Sequence, residues 1–389
     1  MSSVPRSVAE AVALAADVLA RAGCETARLD ASVLFRHAAG GWDEARLIAS
    51  GRDEVALGVA ARFDELVARR AAREPVAYLV GEREFWSRTF RVDPRVLVPR
   101  PETEDVLAAA LRAVGERLRP GRILRIVDVG TGSGILAVTL AAELGSTGAN
   151  GRQAGAESRR RSATSADASA TTSEETRIAI VAVDLSGDAL AVARENACLL
   201  VGDGAGNRVP IAWIRADLTT SLATASADIV VANPPYVTSD ELARAAPELA
   251  HEPLLALEGG DDDGLGVLRR LLREAARVLI PGGVLVSEIG SRQGAKVASL
   301  ASSSGFEAVE VGRDLAGRDR FLVARRGADG ILRGRDPGLG RDEFREESEV
   351  PRGEDGWTRS SFEEGARSRA RFGSEAPRTP LSRSSSHRF

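Results

Sequence analysis

From residue 102 to about residue 326 the chain alternates short runs rich in β-branched residues with amphipathic stretches of helical length. This alternation restricts the fold more than any other feature. Strand-like runs fall at 123–129, 178–183, 211–215, 229–232, 283–289, about 306–311 and about 320–324. Helix-like stretches fall at 135–144, 187–200, 264–279 and 293–303. Repeats of this kind predict an α/β architecture, a mainly parallel seven-stranded sheet covered by helices on both faces. In such a sheet a ligand sits beyond the carboxyl ends of the strands, near the point where strand order reverses.

The residues before this region follow a different period. Val8, Val12, Ala15, Val18 and Leu19 recur at helix spacing, followed by Leu29, Val33 and Leu34 and then by Phe63, Leu66 and Val67. Gly23 and the Gly40–Gly41 pair punctuate the pattern and Pro75 ends it, so residues 1–80 read as a small helical bundle. The stretch EFWSRTFRVDPRVLV at 84–98 is rich in aromatic and β-branched residues and predicts a β-hairpin connector over 81–101. Residues 145–177 hold no Val, Ile, Leu, Met or aromatic side chain. Such a segment cannot bury enough apolar area to offset its ordering entropy, and it reads as a disordered insertion in a domain spanning 102–326. Residues 327–389 are similarly poor in large apolar residues, with acids concentrated before Gly356 and arginines after it, and read as a disordered tail.

Composition removes several function classes. With 52 Lys+Arg against 56 Asp+Glu the net charge is −4, which argues against holding nucleic acid mainly by phosphate neutralisation. Cys24 and Cys198 are far apart, and His37, His251 and His387 are scattered, so neither a disulfide framework nor a Cys- or His-built metal centre is expected. No apolar run approaches the ~18–20 residues of a membrane span. Glu10 and Asp17 interrupt the N-terminal apolar stretch, which lacks a signal-peptide layout. The expectation is a cytoplasmic protein.

Two motifs carry chemistry. VDVGTGSGIL at 127–136 follows a strand and opens a helix, and Gly130, Gly132 and Gly134, with Thr131 and Ser133 between them, allow a tight turn and close backbone approach to a ligand. Alone this loop also fits nucleotide binders. Asp184 ends the next strand, where an acid can accept both hydroxyls of a ribose, and Asp217 ends the strand after that, where a side chain can hold an adenine amino group. A strand-terminal Asp also serves as a turn or cap residue. The second motif, Asn233-Pro234-Pro235-Tyr236, directly follows the fourth strand. Consecutive prolines fix the chain and free carbonyls to accept hydrogen bonds, Asn233 offers a donor and an acceptor, and Tyr236 offers a flat apolar face. The set suits a planar amide or amino group whose hydrogens are accepted by Asn233 and the Pro234 carbonyl, which orients the nitrogen for in-line attack on a sulfonium methyl.

Together, the glycine loop, Asp184 and Asp217 resemble the S-adenosylmethionine site of Rossmann-like methyltransferases. NPPY in this place is similar to the motif of amino-group methyltransferases acting on adenine, guanine or glutamine. REFWSRTFRVDPRVLVPRPETE at 83–104 resembles the signature of the HemK/PrmC family of release factor glutamine methyltransferases, as do LDASVLFRHA (29–38), HEPLLALEGG…DGL (251–265) and SEIGSRQG (287–294). The resemblance covers roughly residues 5–325. It implies methyl transfer from S-adenosylmethionine to the side-chain amide of the glutamine in the GGQ motif of peptide chain release factors, with the helical bundle recognising the release factor. It also implies cofactor contacts at Gly130–Gly134, Asp184, Asp217–Leu218 and Asn233, and glutamine recognition by Asn233–Tyr236. Neither direct DNA binding nor a membrane partner is expected. The same NPPY chemistry would serve an exocyclic amino group of a nucleobase in DNA or rRNA; the net acidity and the 83–104 stretch weigh against that alternative.

Other positions stay open at this level. Phe85, Trp86 and Phe90 read most simply as core residues joining the two domains. Arg100 and Glu102 either position a ligand or cap the helix that follows. His251 and Glu252 either line the substrate mouth or serve the surface structure, and Asp261–Asp263 read as a solvated turn. Leu218 stands where some relatives place an aromatic residue, which weakens adenine stacking there.

Overall fold

Ser7 and Glu10 form a reciprocal cap: the Ser7 hydroxyl accepts from Glu10 N at 3.3 Å and the Glu10 carboxylate accepts from Ser7 N at 3.0 Å. This cap starts α1 (Val8–Arg21), the first of five helices in the N-terminal region, with α2 (Ala27–Ala38), α3 (Glu44–Ala49), α4 (Leu57–Ala71) and α5 (Val76–Val80). Their shared core holds Leu19, Leu34, Phe35 and Phe63, with Phe35 edge-on to Phe63 at 5.1 Å. Each such side chain contributes roughly 1.5–3 kcal/mol by leaving water. Pro75 does not end the helical region, as its sequence predicts; it sits at the N-cap of α5. A proline is tolerated at a helix start because the N–H it lacks would have no intrahelical partner.

The computed structural model describes residues 7–145, 177–202 and 209–328, all within one compact unit. The insertion and tail expected at 145–177 and 327–389 lie almost wholly outside the described residues. The hairpin occupies only part of the expected connector: β1 (Glu82–Phe85) pairs antiparallel with β2 (Arg88–Arg91), and one further bond, from Val92 N to the Gly81 carbonyl at 3.1 Å, closes the ladder. Pro94, Pro99 and Pro101 interrupt the following stretch and have no N–H to donate. The turn residues Trp86 and Ser87 both have positive φ, 52° and 57°, the geometry of a two-residue hairpin turn. Phe85 and Phe90 are fully buried against each other, as core residues should be.

The main sheet has seven strands: β3 (Ile123–Val129), β4 (Arg177–Asp184), β5 (Ile211–Arg215), β6 (Ala227–Ala232), β7 (Leu279–Glu288), β8 (Phe306–Arg313) and β9 (Asp319–Arg326). Their order is β5-β4-β3-β6-β7-β9-β8, parallel except for the two ladders made by β9. Every residue of β6 is buried, as a central strand covered on both faces demands. The two faces are separate cores. Leu124, Ile126, Ile229 and Val231 pack with α6 (Thr103–Arg117) and α7 (135–145). Val127, Val129, Val230 and Leu285 pack with α10 (Gly266–Val278) and α11 (Gly294–Ser303). Among the described residues the remaining α-helices are α8 (Gly187–Leu200), which follows β4, and the short α9 (Ser239–Leu242). Strand order reverses between β3 and β6, so the ends of β3, β4 and β6 open onto one crevice.

Candidate active site

The carboxyl end of β3 runs into the glycine loop. Gly130, Gly132 and Gly134 have φ of 71°, 56° and 85°, in the left-handed region that favours glycine. Gly130 N and Thr131 N both donate to the Val183 carbonyl, at 2.8 and 3.0 Å, pinning the loop to β4. Asp128 fastens the loop from beneath, accepting from Thr131 Oγ1 at 2.6 Å and Ala137 N at 3.1 Å. Burial pushes its carboxyl up to about 7. Asp128 stands inside VDVGTGSGIL, but nothing in that run marks it as the residue that fastens the loop.

Asp184, at the end of β4, accepts from Gly132 N at 2.9 Å through one oxygen and from Ser186 N at 2.8 Å through the other. Burial raises its proton affinity. The Leu185 backbone adds a third donor, so three of the roughly four acceptor positions of the carboxylate are met from the backbone. Asp217, beyond β5, is half exposed and paired with Arg270 of α10, while Leu218 beside it takes φ of 49°.

One cavity of about 250 Å³ gathers most of the expected positions: Gly130, Thr131, Gly132, Ser133, Asp184, Asp217, Leu218, Asn233 and Pro235 line it. Arg95–Leu97, Pro99 and Arg100 close it from the connector and Pro253, Leu255 and Ala256 from the loop after α9. Gly134, Pro234 and Tyr236 do not line it. At Gly134 a Cβ would lie 3.1 Å from Ala193 Cβ and 3.2 Å from Val138, so this glycine permits α7 to pack on α8.

The Asn233–Tyr236 turn is held from behind. The Asn233 Nδ2 donates to Thr103 Oγ1 at 3.1 Å, Thr103 Oγ1 donates to Glu288 Oε2 at 2.7 Å, and the Tyr236 hydroxyl donates to Glu288 Oε1 at 3.1 Å. Burial, then the Glu288 charge, pushes the Tyr236 phenol well above its ordinary value and keeps it protonated. The Tyr236 backbone is enclosed by glycines: a Cβ at Gly259 would lie 2.8 Å from Tyr236 Cα, and one at Gly264 2.4 Å from its carbonyl oxygen. Gln293 adds a donor to the same carbonyl at 3.2 Å. These contacts give the 251–265 and 287–294 stretches a physical reason that sequence reading could not supply. Glu288 carried a signal, an acid closing an otherwise apolar strand at the same edge as Asp184. Thr103 carried none.

Glu252 is buried and accepts from Arg100 Nη2 at 2.6 Å and Val98 N at 3.0 Å, tying the connector to the post-α9 loop. Glu102 does not cap α6 with its side chain; it pairs with Arg320 at 3.2 Å. The His251 ring lies 3.4 Å from the Ala72 carbonyl oxygen. Asp261 and Asp263 pair with Arg269, and Asp263 also with Lys296. Among the described residues no group of His, Cys, Asp or Glu is placed to hold a metal, and no helix is long and apolar enough to cross a membrane.

Comparison with known proteins agrees in both halves of the chain. Residues 10–81 match the family model of the PrmC N-terminal domain, and residues 106–259 that of the RMKL-like methyltransferase domain. The release factor glutamine methyltransferase of Nitratidesulfovibrio vulgaris is 44% identical over 268 residues, 68% of this chain and 77% of that protein. Those of Cereibacter sphaeroides and Moorella thermoacetica are each 39% identical, over 82% and 79% of this chain and 98% and 94% of their own lengths.

Proposed function

The chain belongs to the release factor glutamine methyltransferase family, and we propose that it methylates the side-chain amide nitrogen of the glutamine in the GGQ motif of a peptide chain release factor. S-adenosylmethionine is the methyl donor, and when bound it supplies an electrophilic sulfonium methyl. The observation that carries the reading is the meeting, in one cavity, of the Gly130–Ser133 loop, Asp184 and Asn233.

The residues fit that donor. Asp184, at the end of β4 and on the cavity wall, is the acceptor for the ribose hydroxyls. A Cβ at Gly130 would find its nearest neighbour only 3.9 Å away, so the loop backbone offers open approach, and Leu136, Leu218 and Val267 give apolar walls for a purine. Asp217 is the acceptor for the adenine amino group, in place of its pairing with Arg270. Asn233 Oδ1 and the Pro234 carbonyl then accept the two hydrogens of the substrate amide. An amide nitrogen is nearly non-basic, so nothing is gained by removing its proton first. Accepting both hydrogens aligns the lone pair and raises its electron density; as the N–C bond formed, the S–CH₃ bond would break with its electron pair staying on the departing neutral thioether, and the strongly acidic methylated nitrogen would then lose one proton to solvent water. Orientation and preorganised dipoles supply the acceleration. Pro235 walls the cavity, and Tyr236 stiffens the turn through Glu288. Residues 1–80 form the release-factor-recognising domain, 81–101 the connector and 102–326 the catalytic domain. Exposed Leu14 and Val18 of α1 and Leu29 of α2 support that docking role. Action on a translation factor places the protein in the cytoplasm.

Mass spectrometry of release factor peptides after incubation with the protein and S-adenosylmethionine tests this. A gain of one methyl on the GGQ glutamine is expected, absent when that residue is Glu or Ala. Methyl uptake by duplex DNA or rRNA, or at another residue of the altered factor, overturns the glutamine assignment in favour of a nucleobase amino group.

A further inference from the structure

Behind the NPPY turn stand a hydroxyl and a carboxyl that the mechanism above does not consume. Thr103, the first residue of α6, and Glu288, the last of β7, are 0% and 2% exposed and separated by 185 residues in the chain. Neither lines the cavity. Burying an acid there is costly unless its oxygens are supplied with donors, and both are: Thr103 Oγ1 donates to one and the Tyr236 hydroxyl to the other. The groups of opposite and like charge facing it are Arg320 and Glu102, paired with each other, and neither donates to Glu288 among the described residues.

A threonine hydroxyl has one proton. Once it is given to Glu288, only lone pairs remain on Oγ1, and the Asn233 amide can meet them only with Nδ2, as it does at 3.1 Å. The two ends of an asparagine amide are nearly the same size, so shape cannot choose between them; the hydroxyl does. With Nδ2 turned inward, Oδ1 is the end left for a ligand. We propose that Glu288, acting through Thr103, sets the orientation of the Asn233 amide so that its oxygen meets the substrate nitrogen, and that its second oxygen locks the same turn through Tyr236. Thr103 and Glu288 are positioning residues. The ionised form is the one that accepts at both ends; a glutamine, like the protonated acid, accepts at one and presents a conflicting donor at the other. The inference rests on the assignment of Asn233 to the substrate amide.

Three single variants and one double variant test it. Thr103→Val keeps the shape and deletes the hydroxyl; it is expected to lower kcat on a release factor by roughly tenfold to a hundredfold, with calorimetric affinity for S-adenosylmethionine within about threefold. Thr103→Ser restores the hydroxyl and kcat. In an Asn233→Ala background, where no amide remains to orient, Thr103→Val is expected to cost less than about twofold further. Glu288→Gln lowers kcat as Thr103→Val does, and covers the case in which the valine variant fails to fold. An equal loss from Thr103→Val with and without Asn233, or a folded Thr103→Val variant with wild-type kcat, overturns the proposal. A readout that needs no substrate separates this from failure of the functional reading. With asparagine labelled by nitrogen-15, the Asn233 Nδ2 protons of the wild type are expected to exchange slowly, and those of Thr103→Val rapidly. Equal exchange in both proteins overturns the orienting role even if release factor is never methylated.

Discussion

At the scale of single residues, the strand-end positions were readable because each answers to a local rule. An acid closing a strand, or an Asn before two prolines, announces itself within a few residues. Thr103 and Glu288 were not, because their meaning lies in a pairing across 185 residues. The readable set makes its own predictions. Asp184→Ala removes both acceptors for a ribose diol and also the acceptors of Gly132 N and Ser186 N. Lost hydrogen bonds to a charged group amount to about 1.5–3 kcal/mol, so calorimetry is expected to give at least roughly tenfold weaker binding of S-adenosylmethionine. Unchanged affinity in the folded variant would remove Asp184 from the site. Asn233→Ala is expected to lower kcat by about 10²–10³, with a smaller effect on cofactor affinity because the glycine loop and Asp184 remain. Asn233→Asp is expected to be as damaging. It keeps an acceptor but turns an oxygen toward Thr103 Oγ1, whose proton is committed to Glu288. A kcat for Asn233→Asp near that of the wild type contradicts the assignment.

Elements were legible wherever hydrophobic period ran unbroken. Helix α8 matches its expected bounds at both ends, and the strands of the sheet lie within a few residues of theirs. The misses fall where proline rules compete. Pro75 read as a terminator but begins α5, and within the 81–101 connector the paired strands end at Arg91. The post-α9 loop was legible only as a resemblance, since what fixes it comes from other elements. Its residue Glu248 accepts from Arg70 Nη1 at 2.9 Å and Arg73 Nη2 at 2.7 Å, and the buried Arg70 also binds Asp30 of α2 at 2.8 Å. The helical region therefore grips the loop that follows the NPPY turn. Glu248→Ala is expected to reduce unfolding free energy by about 1.5–3 kcal/mol, measured in urea, by leaving both guanidiniums short of an acceptor. It is also expected to raise KM for the release factor more than it changes affinity for S-adenosylmethionine. An unfolding midpoint equal to that of the wild type would show the clamp to be energetically idle.

For the whole molecule, the buried acids that support the site set the pH dependence of stability. Burial raises Asp128 from 3.8 and Glu288 from 4.5, each to about 7. An acid whose pKa rises on folding binds its proton more tightly in the native state, so its contribution is complete below the unfolded value, declines as the pH climbs, and is gone above about 7. Surface acids act in the opposite sense. Hydrogen bonds from Arg269 and Lys296 lower Asp263, and those from Arg277 and Thr219 lower Glu274, so their contributions vanish as the pH falls below the ordinary carboxylate range. The two trends predict a stability maximum near pH 4, inside the ordinary carboxylate range, with Tm falling from there and levelling off above about pH 7. The descending limb belongs to the loop-fastening carboxyl beneath Gly130–Gly134 and to its counterpart behind Asn233. Asp128→Asn isolates the first. Its amide oxygen accepts from Thr131 Oγ1 and Ala137 N as the carboxylate does, and its NH₂ takes the place of an oxygen that has no partner among the described residues. The variant is expected to lose some stability at pH 5 and to show a flatter Tm profile between pH 5 and 8, approaching or crossing the wild type at the alkaline end. A Tm profile of Asp128→Asn parallel to that of the wild type across this range would mean that Asp128 is already ionised in the fold at pH 5.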